Sequence, residues 1–184
     1  MDPTSDTRVA AFKRFVEEAK ELCSQLNTAE HDELIAADTI ARLANPGKDD
    51  DVAHLRRLCD SLEDIVVLQS RHVAAKLRFQ LHLAKGRALK QAAIDAVGEI
   101  LLSAVGGEPS LTTSPVGPLA RHYLEEVRSV GFRLTTGTTL QQVNCHLTEA
   151  LETLERAVSE SDLIRRERDN PPQWMIESES ATAG

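Results

Sequence analysis

The residues able to do chemistry are scattered along the chain. Six histidines (His31, His54, His72, His82, His122 and His146) and three cysteines (Cys23, Cys59 and Cys145) stand far apart. A structural zinc site draws on closely spaced Cys and His pairs, and a zinc peptidase on His-Glu-x-x-His; neither spacing occurs. Di-iron bundles project Glu-x-x-His from core-facing helical turns, but no histidine has a glutamate three residues before it. His122 and Glu125 have the reverse order. Cys145 and His146 are neighbours, so on a helix they point about 100° apart and make a poor nucleophile–base pair. Glu125 and Glu126 fail as a carboxylate dyad for the same reason. Gly106-Gly107 is not followed by the Lys-Ser or Lys-Thr of a phosphate loop. Asp49-Asp50-Asp51 lacks the spaced oxygens and distal Glu of a calcium loop, and reads as the acidic start of a helix. The chain is therefore read as non-enzymatic, with no cofactor and no metal.

Charge is distributed more informatively. The overall net charge is −8 and the isoelectric point near 5.3, which argues against a general nucleic-acid or anionic-membrane binder. Yet between Arg71 and Lys90 there are six basic residues, two histidines and no acid. On a helix, Arg71, Arg78, His82 and Lys85 form one narrow stripe. The plainer expectation is that acidic faces of the first and last helices neutralise it inside a bundle. The sharper one is a groove for an acidic peptide, a phosphate or a nucleic-acid backbone.

The elements that carry these residues read as helices. Aromatics are only 3% of the chain, so the core must come from Leu, Ala, Val and Ile, which suit helix packing better than sheets. The stretch Leu62–Ala84 organises the rest. It carries two apolar stripes, Ile65/Leu68/Phe79/Leu83 and Val66/Val73/Leu77/Leu81/Ala84. A helix with two such stripes is expected to be flanked by neighbours on both sides. Before it, Val9, Phe12, Val16, Ala19, Cys23 and Leu26 keep a three-four spacing over a first helix. Asn27 is expected to stop that helix and, with Glu30, to cap a second one, about 28–44, ended by Asn45-Pro46-Gly47. A break is conceivable near Asp60, where Ser61 and Asp64 resemble a cap. A kink or break is expected at Gly86, because an unbroken helix from Asp51 to Val105 would run about 80 Å.

Gly106 to Pro118 holds three prolines and reads as a loop, with Ser114-Pro115 a candidate phosphosite. A short helix then runs about 118–130. Thr138 and Gln141 predict a capping box for the last helix, whose Leu140, Val143, Leu147, Ala150, Leu154 and Ala157 keep a heptad. Glu152 and Arg156 are expected to pair on its outer face.

The sum is an all-α chain: an elongated helical bundle of five or six helices, mostly antiparallel, with a long central helix and a long heptad-bearing C-terminal helix. Residues 1–169 are assigned to one domain and 170–184 to a polar tail. In the tail, Trp174, Met175 and Ile176 either plug the bundle or anchor a partner. No secretory leader is expected, because residues 1–8 lack a cationic start and an apolar run. The best membrane candidate, 92–105, is too short and contains Asp95 and Glu99. Three sparse cysteines fit reduced thiols inside the cell, in cytoplasm or nucleus. The function expected is that of a helical interaction protein, a subunit or adaptor whose partners are proteins, helical or further copies of itself. The alternatives are a binding module using Arg71, Arg78, His82 and Lys85, and a helical carrier or enzyme built around a closed cavity.

Overall fold

The computed structural model describes residues 3–44, 52–130 and 139–171, and these are helical with no strand among them. Five helices follow in order: α1 Pro3–Leu43, α2 Val52–Val105, α3 Ser110–Thr113, α4 Gly117–Ser129 and α5 Leu140–Asp169. No helix among the described residues is long and apolar enough to cross a membrane.

Helix breaks at Asn27, near Ser61 and at Gly86 are absent. α1 runs through Asn27 without interruption. Asn27 costs a helix well under 1 kcal/mol, and the neighbouring Thr28 hydroxyl, instead of capping, donates back to the Ser24 carbonyl at 3.1 Å. α2 likewise runs through Ser61 and Gly86. The glycine serves packing: a Cβ there would collide with the Phe15 ring. The helical hydrogen bonds outlast its local penalty because that contact rewards it.

The described residues group into two compact units. The first joins the start of α1, to Val16, with everything from Gly86 onward. Its core is Phe12 and Val16 on α1, Val97 and Leu101 on α2, Leu124 and Val127 on α4, and Leu154 and Ile164 on α5. α2 ends in a left-handed glycine pair, Gly106 and Gly107, with φ of 98° and 99°. Gly107 donates to Leu102 O at 2.8 Å and Gly106 to Ser103 O at 3.2 Å, which closes the last helical turn. The Arg168 guanidinium, from the end of α5, donates to Ser103 O and Ala104 O at 3.2 and 2.9 Å. A cation thus meets the negative end of α2.

Three details of this unit differ from the sequence reading. The capping box of α5 uses Thr139 and Gln142, one residue later than Thr138 and Gln141. Both pairs fit the pattern, and Thr139 is the one whose hydroxyl accepts from Gln142 N, at 3.2 Å. Arg156 pairs across to Glu126 of α4 at 3.1 Å, not along its own helix to Glu152. The glycine- and proline-rich loop holds the single turn α3, and Gly117 starts α4 where a Cβ would strike the Leu111 carbonyl.

The second unit, Glu17–Lys85, is a helical hairpin. Its two arms are antiparallel, because contacts pair rising numbers on α1 with falling numbers on α2. Glu18 meets His82 at 3.7 Å, Glu33 meets His72 at 2.6 Å, and the Leu43 carbonyl meets His54 at 2.9 Å. On α1 the seam follows Ala19, Leu22, Leu26, Ala29, Glu33, Ala36, Ile40 and Leu43. On α2 it follows His54, Leu58, Ser61, Ile65, Leu68, His72, Ala75, Phe79 and His82. All of these are buried or half-buried, and the spacing alternates threes and fours, which keeps one stripe on one side of a helix.

Candidate functional site

Two helices can bury one stripe each, and the hairpin has more apolar surface than that. Among the described residues, eleven large apolar side chains are exposed, and ten of them belong to the hairpin. On α2 they form a second row: Val52, Leu55, Leu62, Val66, Val73, Leu77 and Leu81. At 100° per residue this row lies roughly 130° around the helix from the seam. The exposures of Val66, Leu77 and Leu81 are 60%, 59% and 62%, so these side chains touch little beyond their own helix. α1 adds Leu34 and Ile35, 62% and 53% exposed.

The sequence reading found this row and expected a neighbour on it. Within the hairpin only the row containing Ile65, Leu68 and Phe79 is covered; Val66, Val73, Leu77, Leu81 and Ala84 are exposed. The expectation of cover on both sides is corrected here. The reason lies in the unbroken α1: one continuous helix pairs with this part of α2 where two were expected. Contiguous exposed apolar surface of this kind is uncommon on a monomer.

The basic stripe lies between the two apolar rows of α2. Arg71, Arg78 and Lys85 are exposed, and none is in an ion pair with another described residue. His82 is separate in character: it is half-buried and 3.7 Å from Glu18. Of the expected neutralisation by acidic helices, only this one contact forms among the described residues. Trp174, Met175 and Ile176, and the acidic triplet at 49–51, lie outside the described residues.

One seam contact and one cleft lie outside the sequence-based expectations. Glu33 and His72 face each other near the middle of the hairpin, and the seam spacing itself carries both residues. In the first unit, a cleft of 630 Å³ lies between α2 and α4. Arg87, Lys90 and Arg128 line it with Asp95, Glu99 and the apolar Ile94, Leu102 and Leu124. Lys90 is almost fully buried, and that burial pushes its ammonium below the ordinary lysine pKa. Charges of both signs line this cleft, and the described chain stops at its rim, Val130. Among the described residues it has no closed apolar wall of the kind a carrier uses. Among the described residues no three His, Cys, Asp or Glu side chains are grouped as metal ligands. Cys23 is buried, while Cys59 and Cys145 are exposed thiols.

Set against known protein families, characterised proteins and solved structures, the chain matches none.

Proposed function

We propose that this chain is a helical interaction protein without catalytic activity, a subunit or adaptor that docks another helix along the exposed apolar row of its hairpin. The observation that carries the reading is that row itself: Leu62, Val66, Val73 and Leu77 exposed in line on a helix whose other row is already covered. Burying apolar surface contributes about 25 cal/mol per Å², so a row of this length favours cover by a partner helix. The test is affinity capture with the full chain and with Leu62→Glu/Leu77→Glu, after circular dichroism has shown equal helix content. The wild-type chain should retain a stoichiometric partner, another copy included, and the variant should lose it. Equal retention by both, or no partner for either, contradicts the reading.

Exposure of Arg71, Arg78 and Lys85 without ion-pair partners among the described residues favours a second reading, a stripe for an acidic segment. Binding of a poly-glutamate peptide that weakens with salt and disappears in Arg71→Glu/Lys85→Glu supports it. Unchanged binding removes it.

A further inference from the structure

The exposed row has a symmetry that its chemistry makes useful. Leu62, Val66, Val73 and Leu77 are placed symmetrically about the point between Gln69 and Ser70. Laid antiparallel on a second copy of itself, the row meets like with like: Leu62 faces Leu77 and Val66 faces Val73, in both directions. Leu55 then faces Ala84, and the polar Gln69 and Ser70 meet each other at the centre. A single polar pair inside an apolar seam is a device that fixes register.

The charges flanking the row agree with this pairing. At 100° per residue, Asp60, Glu63 and Arg78 all fall on the same flank. In an antiparallel pair each flank faces the same flank of the other helix. Asp60 and Glu63 lie before the midpoint and Arg78 after it, so the acids of one copy come opposite Arg78 of the other, while Arg56 and Lys85, exposed on the same flank, come near each other further out. Asp60, Glu63 and Arg78 are exposed, and among the described residues none is in an ion pair. In a parallel pairing each flank would face the opposite flank of the other helix, and Asp60 and Glu63 would not meet Arg78.

From the symmetric spacing and the charge complementarity, we infer that the occupant of the exposed row is a second copy of this chain. Two α2 helices pack antiparallel about a twofold axis between Gln69 and Ser70, an isologous contact. The inference rests on the docking reading above and names its partner.

Mixed cross-linking tests it on the full chain, with the exposed Cys59 and Cys145 replaced by Ser. One preparation carries Val66→Cys and the other Val73→Cys. The mixture should form a covalent dimer readily, while each preparation alone cross-links at least tenfold less. Arg78→Glu should reduce the mixed dimer several-fold, and Asp60→Arg/Glu63→Arg added to Arg78→Glu should restore it. Cross-linking of each preparation with itself, or none in the mixture, overturns the antiparallel pairing. If Leu62→Glu/Leu77→Glu still sheds a different captured protein, the docking reading survives that result. If nothing is shed, both fall.

Discussion

Glu33 Oε2 lies 2.6 Å from His72 Nδ1, in the middle of a seam whose other positions are mostly apolar. The two side chains are about a quarter exposed, at 26% and 25%. A slip of the hairpin by seven residues would set Glu33 against an apolar level and leave His72 facing Leu26 or Ile40. The pair therefore specifies register more than it adds stability. Replacing Glu33 with Leu strands the imidazole, and chemical denaturation should show a loss of about 1–3 kcal/mol. Glu33→Leu/His72→Leu should recover most of that loss. A double variant as weak as the sum of the two singles would show that the residues are not coupled.

Gly86 and Phe15 make the second coupled pair. The glycine is helical, so alanine would be favoured there by about 1 kcal/mol from propensity alone. The ring of Phe15 occupies the space a Cβ needs. Gly86→Ala should therefore lower the melting temperature, with a cost of about 1–3 kcal/mol for the overpacked contact. In a Phe15→Leu background the same substitution should cost less. A Gly86→Ala chain that is more stable than wild type would place the ring elsewhere.

Lys90 gives the fold a pH dependence of definite sign. Burial lowers its pKa from 10.5 in the folded chain. Between the lowered value and 10.5 the unfolded chain holds a proton that the folded chain does not, so stability rises with pH. Tyr123 acts oppositely near its ordinary value of 10.0. Burial first, and the carboxylates of Glu160 and Glu126 next, raise its pKa, so its contribution is present below that value and lost above it. The rise from Lys90 therefore lies between its lowered value and about pH 10. Urea unfolding across that range should show it, and Lys90→Met should flatten it. An unchanged slope in the variant would assign the dependence to another group.

Helix class, the row from Phe12 to Leu26 on α1, the Ile65/Leu68/Phe79 row and the second apolar row of α2 are legible in residue spacing, because burial follows the 3.6-residue period. Helix ends are not. Asn27 and Ser61 resemble caps, but a cap acts only where the chain leaves the helix, and packing along α1 and α2 keeps both inside. Gly86 resembles a break until Phe15 is seen against it. The basic stripe is legible as a pattern, whereas its exposure depends on which acids come near, and among the described residues only Glu18 does so, at His82. Whether the second row is covered depends on how many helices lie around it, and that number changed when two expected helices proved to be one.

The mass of the purified chain in solution tests the central claim most directly. Light scattering after size-exclusion chromatography should give twice the chain mass of 20.2 kDa, at low and at high salt, because apolar contacts survive screening. Leu62→Glu/Leu77→Glu should give the single-chain mass. A particle of one chain for the wild type, at every concentration and both salts, would contradict self-pairing through the exposed row of α2.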